Sequence, residues 1–114
     1  MLTDKLMSLI NLPNTYLGEA PIAVDDCQWI RPAAGNSKLF FCKSTYDKPA
    51  FSIYVRDKDN AKALCRGGEL LKKLQGYTDS TSALVVTRLL SFVGKDSKHR
   101  SVYTFSIEYQ TGGY

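Results

Sequence analysis

Histidine is nearly absent from this chain: of 114 residues, only His99 carries an imidazole. A histidine-rich metal cluster is thereby excluded, and a base-assisted nucleophile would depend on one residue in a charged turn. Cysteine is sparse too. Cys27, Cys42 and Cys65 are odd in number and lack the CxxC spacing of a metal or redox site, so reduced thiols are the expectation. No apolar run approaches the roughly 18 residues that span a bilayer, and no membrane partner is expected. The opening "MLTDKLMSLINL" shows no small-residue cleavage site and does not read as a signal peptide. No block of five or more like charges appears, which is the pattern of an ordinary soluble surface.

What is present is the composition of one globular domain, with 44% hydrophobic and 23% charged residues. The formal charge of +4 is uneven: residues 58–114 hold nine basic and five acidic side chains, while residues 1–57 hold six of each. No repeat or linker divides the chain, so residues 1–114 are read as a single domain.

A short helix is expected from Asp4 to Ile10, with Thr3 as N-cap and Leu6, Leu9 and Ile10 on its apolar side. Asn11, Pro13 and Asn14 end it. Residues 11–38, with three prolines and two glycines, read as an irregular arm holding one short extended piece around Gln28–Ile30. Leu39–Lys43 and Ala50–Arg56 read as strands joined by a hairpin at "STYDK". The clearest helix runs from Asp59 to Gln75, started by Asp57 or Asp59 and stopped by Gly76. Ala61, Ala63, Leu64, Gly67, Gly68, Leu70, Leu71 and Leu74 fall within one half of its wheel. Lys58, Lys62, Arg66, Glu69 and Lys73 fall opposite. Gly67 and Gly68 each cost about 1 kcal/mol relative to alanine, and close approach to a sheet would explain them. Leu84–Phe92 and Ser101–Tyr109 read as two further strands, the second alternating cleanly, joined by the charged turn "VGKDSKHR". "QTGGY", residues 110–114, reads as a flexible tail. The expected fold is α+β: a small mixed or antiparallel sheet of about four strands, in the order α-β-β-α-β-β, with a helix packed across one face.

Chemistry is hard to find in this pattern. The strand-to-helix link "RDKDN" has two aspartates and no glycine, so a phosphate would meet repulsion where a phosphate loop offers backbone N–H groups. Cys65 lies at the border of the apolar arc and reads as a small buried or half-buried thiol. Asp25 and Asp26 read as solvated neighbours. Neither catalytic group, cofactor nor metal is expected. The stripe Lys58, Lys62, Arg66 and Lys73 has the form of a phosphate-tracking surface, so a small nucleic-acid-binding module using helix 59–75 is the rival reading. The stripe also fits a solvent face or a contact with a neighbouring subunit. Arg56, Asp96, Lys98 and Arg100 gather at strand ends and complete the candidate interface set; pairing at the surface within the chain is the default for them.

Three segments together resemble the tail terminator family of long-tailed bacteriophages, often described as minor capsid or tail completion proteins. They are "LPNTYLGEAP" after the first helix, "PAFSIYVRDKDNAKALCRGGELLKKLQGY", and the closing "KDSKHRSVYTFSIEYQ". Arg56, Ala61, Ala63, Leu74, Arg100, Phe105, Ile107 and Tyr109 match that family's positions, and only the arm from Ala23 to Lys38 falls outside the likeness. The resemblance implies a homo-oligomeric ring, usually a hexamer, made in the host bacterial cytoplasm and located in the virion at the head–tail junction. Its implied partners are the tail tube protein and a head connector or neck protein, with a passing contact to DNA. Its implied work is binding, with no enzymatic step.

Overall fold

The computed structural model describes residues 2–32, 50–78 and 82–111. Helix α1, Leu2–Ile10, is followed by strands β1, Thr15–Leu17, β2, Cys27–Pro32, and β3, Ala50–Asp57. Helix α2, Asn60–Leu74, then leads to the long hairpin of β4, Ser82–Lys95, and β5, Ser101–Thr111. The strands form one five-stranded sheet in the order β1-β2-β3-β5-β4. β1 runs parallel to β2 and every other pairing is antiparallel.

The alternation read in β3 and β5 decides which face is covered. Phe51, Ile53 and Val55 of β3 join Phe105 and Ile107 of β5 in the core, while Ser52, Tyr54, Thr104 and Ser106 point to the other face, half-buried. α2 lies across the apolar face and buries a single stripe of Ala63, Gly67, Leu70 and Leu74. α1 packs beside it, inserting Leu6 and Ile10 into the same core. Complete burial of a side chain such as Leu74 contributes about 1.5–3 kcal/mol.

The end of α2 follows the sequence signals. Asp59 is the N-cap, its carboxylate accepting from the Ala61 N–H at 2.9 Å; Gln75 closes the helix, and Gly76 turns the chain away at φ 82°. The buried stripe is narrower than the apolar half-wheel, because a cylinder meets a sheet along a line. Ala61, Leu64 and Cys65 stand outside that line and are exposed, which corrects the half-buried thiol expected at Cys65. The paired glycines separate in the same way. A Cβ on Gly67 would lie 2.9 Å from Leu90 Cδ1 of β4, whereas one on Gly68 would meet nothing within 4 Å. Only Gly67 serves a close approach.

Other expectations are revised by pairing across the sheet. Among the described residues the sheet has five strands, where about four were expected. Within the arm of residues 11–38, the extended piece expected around Gln28–Ile30 is part of β2, Cys27–Pro32, and Thr15–Leu17 is a further strand whose pairing with β2 supplies what its local sequence does not. Three residues are too few to show an alternating pattern. Pro32 is tolerated in β2 because β1 pairs only with Gln28 to Ile30, so no neighbour among the described residues needs the missing N–H. α1 already contains Thr3, which therefore is not its cap. Gln110 and Thr111 belong to β5, paired with Ala83 and Ser82, and not to a tail. β4 also continues to Lys95, past Gly94 at φ 141°, through three register shifts. The strand expected at Leu39–Lys43, its hairpin and Cys42 lie outside the described residues.

Candidate functional site: an arginine clamp and an open strand edge

The charged residues expected at strand ends converge where β3 ends and β5 begins. Between β4 and β5 the turn is tight. Asp96 Oδ1 accepts from the backbone N–H groups of Lys98 and Arg100 at 3.0 and 2.9 Å, and His99 takes the left-handed conformation at φ 60°. This turn delivers Arg100 inward, leaving it 1% exposed. Its Nε and Nη2 each lie 2.9 Å from Asp96 Oδ2. Its Nη1 donates to the carbonyls of Ile22 at 2.7 Å and Val24 at 2.9 Å, and to Asp25 Oδ1 at 3.3 Å.

Arg56, at the end of β3 and 6% exposed, grips the same piece of arm. Its Nη2 donates to the carbonyls of Pro21 and Val24, both at 2.6 Å. Its guanidinium carbon sits 5.4 Å from the Trp29 ring centroid, and Trp29 stacks on Tyr54 at 5.2 Å. Arg66 reaches in from α2. Its Nη1 pairs with Asp57 Oδ2 at 2.9 Å, and its Nη2 donates to the carbonyls of Arg56 at 2.6 Å and Cys27 at 3.2 Å. Three guanidinium groups and the carboxylates of Asp25, Asp57 and Asp96 therefore form one cluster, with the exposed Lys58 at its margin. Burying a cation costs several kcal/mol unless it is paired and hydrogen-bonded; the backbone carbonyls supply acceptors for the terminal nitrogens, while Arg56 Nε and Arg66 Nε have no hydrogen-bond partner. The cluster is a clamp: it holds the crossover from β1 to β2 against the end of the sheet.

The cluster sets the titration of its members. The Lys58 ammonium, 3.2 Å from Asp25 Oδ2, holds the Asp25 carboxyl below its ordinary range, against a smaller opposing effect of burial and with help from Arg100. At Asp96 burial acts upward, but the N–H groups of Arg100 and Lys98 and the Arg100 guanidinium together bring the carboxyl below its usual value. Burial pushes the Cys27 thiol up in spite of the three nearby arginines.

The basic stripe of α2 does not remain a stripe. Arg66 is folded into the clamp, and Lys73 Nζ donates to the Ile10 carbonyl at 3.0 Å, capping α1 from the side. Lys58 pairs with Asp25, and Lys62 is exposed. Of the remaining candidates, Lys98 is exposed, while Arg56, Asp96 and Arg100 pair within the subunit as buried or half-buried groups and not as surface pairs. Asp25 keeps a side chain 41% exposed, in keeping with a solvated carboxylate, but it is also engaged by two cations; Asp26 is exposed.

The feature that periodicity missed is the outer edge of the sheet. Among the described residues β4 has a neighbour on one side only, and along it Val85, Leu89, Phe92 and Val93 are exposed, Leu89 by 74%. The signal was present in "LVVTRLLSFV", a run too apolar for a strand with a solvent-facing side. Large exposed apolar patches mark interaction surfaces.

Among the described residues no group of three or more His, Cys, Asp or Glu side chains is placed to hold a metal. No helix among them is long and apolar enough to cross a membrane. What the site offers is contact: a rigidly held arm and a long apolar edge. No curated protein sequence matches the chain closely enough to count as a relative. A family does match it, one described as bacteriophage tail terminator protein, over residues 4–111. With nearly its whole length inside that match, the chain belongs to the bacteriophage tail terminator family.

Proposed function

We propose that this protein is a structural component of the virion that caps the phage tail tube as an oligomeric ring and forms part of the head–tail junction. It acts by binding and carries out no reaction. Family membership over residues 4–111 is the observation that carries this reading. The clamp supports it, because a ring subunit must present its surfaces at fixed angles, and the arginine cluster ties the arm, β3, α2 and the β4–β5 turn into one rigid wedge. The partners on this reading are further copies of the chain, six in the completed ring, the tail tube protein on one side and a neck or head connector protein on the other. DNA passes through the ring, and the chain is made in the host bacterial cytoplasm before it joins the virion.

The test is assembly. Light scattering at rising concentration, together with sedimentation and electron microscopy on purified tail tubes, is expected to show ring-sized species or rings seated on tube ends. A chain that stays monomeric throughout and also fails to join tubes would sink the proposal.

A further inference from the structure

Eight large apolar side chains are exposed among the described residues, and their placement is not random. Four are on β4, and Leu12 and Leu17 flank or occupy β1. Among the described residues β1 and β4 are the two outermost strands of the sheet, so these patches lie on opposite margins of it. The margins also differ in charge. Around β1 the unpaired exposed carboxylates are Glu19 and Asp26, Asp25 being held by Lys58 and Arg100, and Arg31 follows the last β2 residue that β1 pairs. Along β4 and its turn the exposed charges are Arg88, Lys95 and Lys98.

We infer that the β4 margin of one copy docks against the β1 margin of the next, joining Leu89 and Val93 to Leu17 and setting Arg88 and Lys95 against Glu19 and Asp26. This inference rests on the ring reading above and names the surfaces that build the ring. Two different patches, alike in apolar character and opposite in charge, specify a head-to-tail contact, and such a contact closes into a ring when its rotation allows. A symmetric pairing of β4 with β4 would instead bring two edges of the same charge together, each carrying Arg88 and Lys95. The register shifts in β4 twist that edge and discourage such flat self-pairing.

Mixing of one-sided variants tests the inference on the full chain. A β4 variant, Leu89→Asp with Val93→Asp, and a β1 variant, Leu17→Lys with Glu19→Lys, alter exposed positions only. Circular dichroism and the thermal midpoint report whether each stays folded. Each alone is expected to be monomeric under conditions, in solution or on tail tubes, where the wild type assembles. Mixed in equal amounts, they keep one intact interface per pair and are expected to associate into species of at least two subunits, where neither does so alone. Should either double variant lose its fold, the single reversals Arg88→Glu and Glu19→Lys replace it, each expected to weaken association about tenfold. A β1 variant that dimerises alone, or variants that assemble like the wild type, overturns the head-to-tail assignment while leaving the terminator reading intact. A wild-type chain that neither assembles nor caps tubes removes both.

Discussion

At the clamped end of the sheet, Arg100 is 1% exposed and spends its donors on one aspartate of its own turn and on an arm 78 positions away in sequence. Along β4, Leu89 is 74% exposed. The two regions invert the usual distribution, burying charge in one place and exposing hydrocarbon in the other. The inversion is instructive because each arrangement costs free energy in an isolated subunit. Breaking one partner of a buried ion cluster is costly, so the cluster resists rearrangement, and large exposed apolar patches mark interaction surfaces. The first region therefore holds shape, and the second waits for a contact.

Removing a clamp residue would break this contrast most severely. Arg100→Ala leaves Asp96 and two arm carbonyls without their buried donor and is expected to cost about 3–5 kcal/mol in denaturant unfolding. Arg100→Lys recovers only part of this, since an ammonium cannot span both the Asp96 carboxylate and the arm. Leu89→Asp, by contrast, is expected to leave stability within about 0.5 kcal/mol while abolishing assembly.

Acid probes the clamp without mutation. The carboxyls of Asp25 and Asp96 both titrate below the ordinary value of 3.8 in the folded chain. Their contribution is thus complete above about pH 4 and fades as pH falls through the lowered folded-state values. Urea midpoints are expected to be flat from neutral pH to about pH 4.5 and to fall below pH 4, and Asp96→Asn should blunt that fall.

The lysines of α2 refine the comparison further. Lys73→Ala removes the donor to the Ile10 carbonyl and is expected to cost about 1 kcal/mol, while Lys62→Ala should change stability by less than about 0.5 kcal/mol. If the two cost the same, the sideways cap on α1 contributes nothing. The glycines offer the finest test. Gly68→Ala gains helix propensity with open space around it and is expected to stabilise by up to about 1 kcal/mol. Gly67→Ala gains less, because its new methyl must displace Leu90. Thermal midpoints of the two variants read the difference.

Much of the fold was legible before any contact was known. Asp59, the apolar stripe through Leu74, and Gly76 bound α2, and the alternation through Tyr103, Phe105 and Ile107 identifies β5. β1 was not legible, since three residues carry no period and owe their conformation to β2. The candidate site divided in the same way. Arg56, Arg66 and Arg100 were singled out as candidates, but as members of a surface. What holds them is a set of carbonyls at Pro21, Ile22, Val24 and Cys27, and every residue has a carbonyl.

The sequence alone determined the elements whose information is local: two amphipathic patterns, a capped helix, tight turns at Asn11, Asn14 and His99, and the motif order that carries the family. Only the tertiary structure decided which charges are buried and which apolar residues are left outside. Periodicity reports which side of an element is apolar, whereas burial depends on whether another element arrives to cover it. On α2 the sheet covers the central line and leaves Leu64 free; on β4 nothing within the described chain covers the edge.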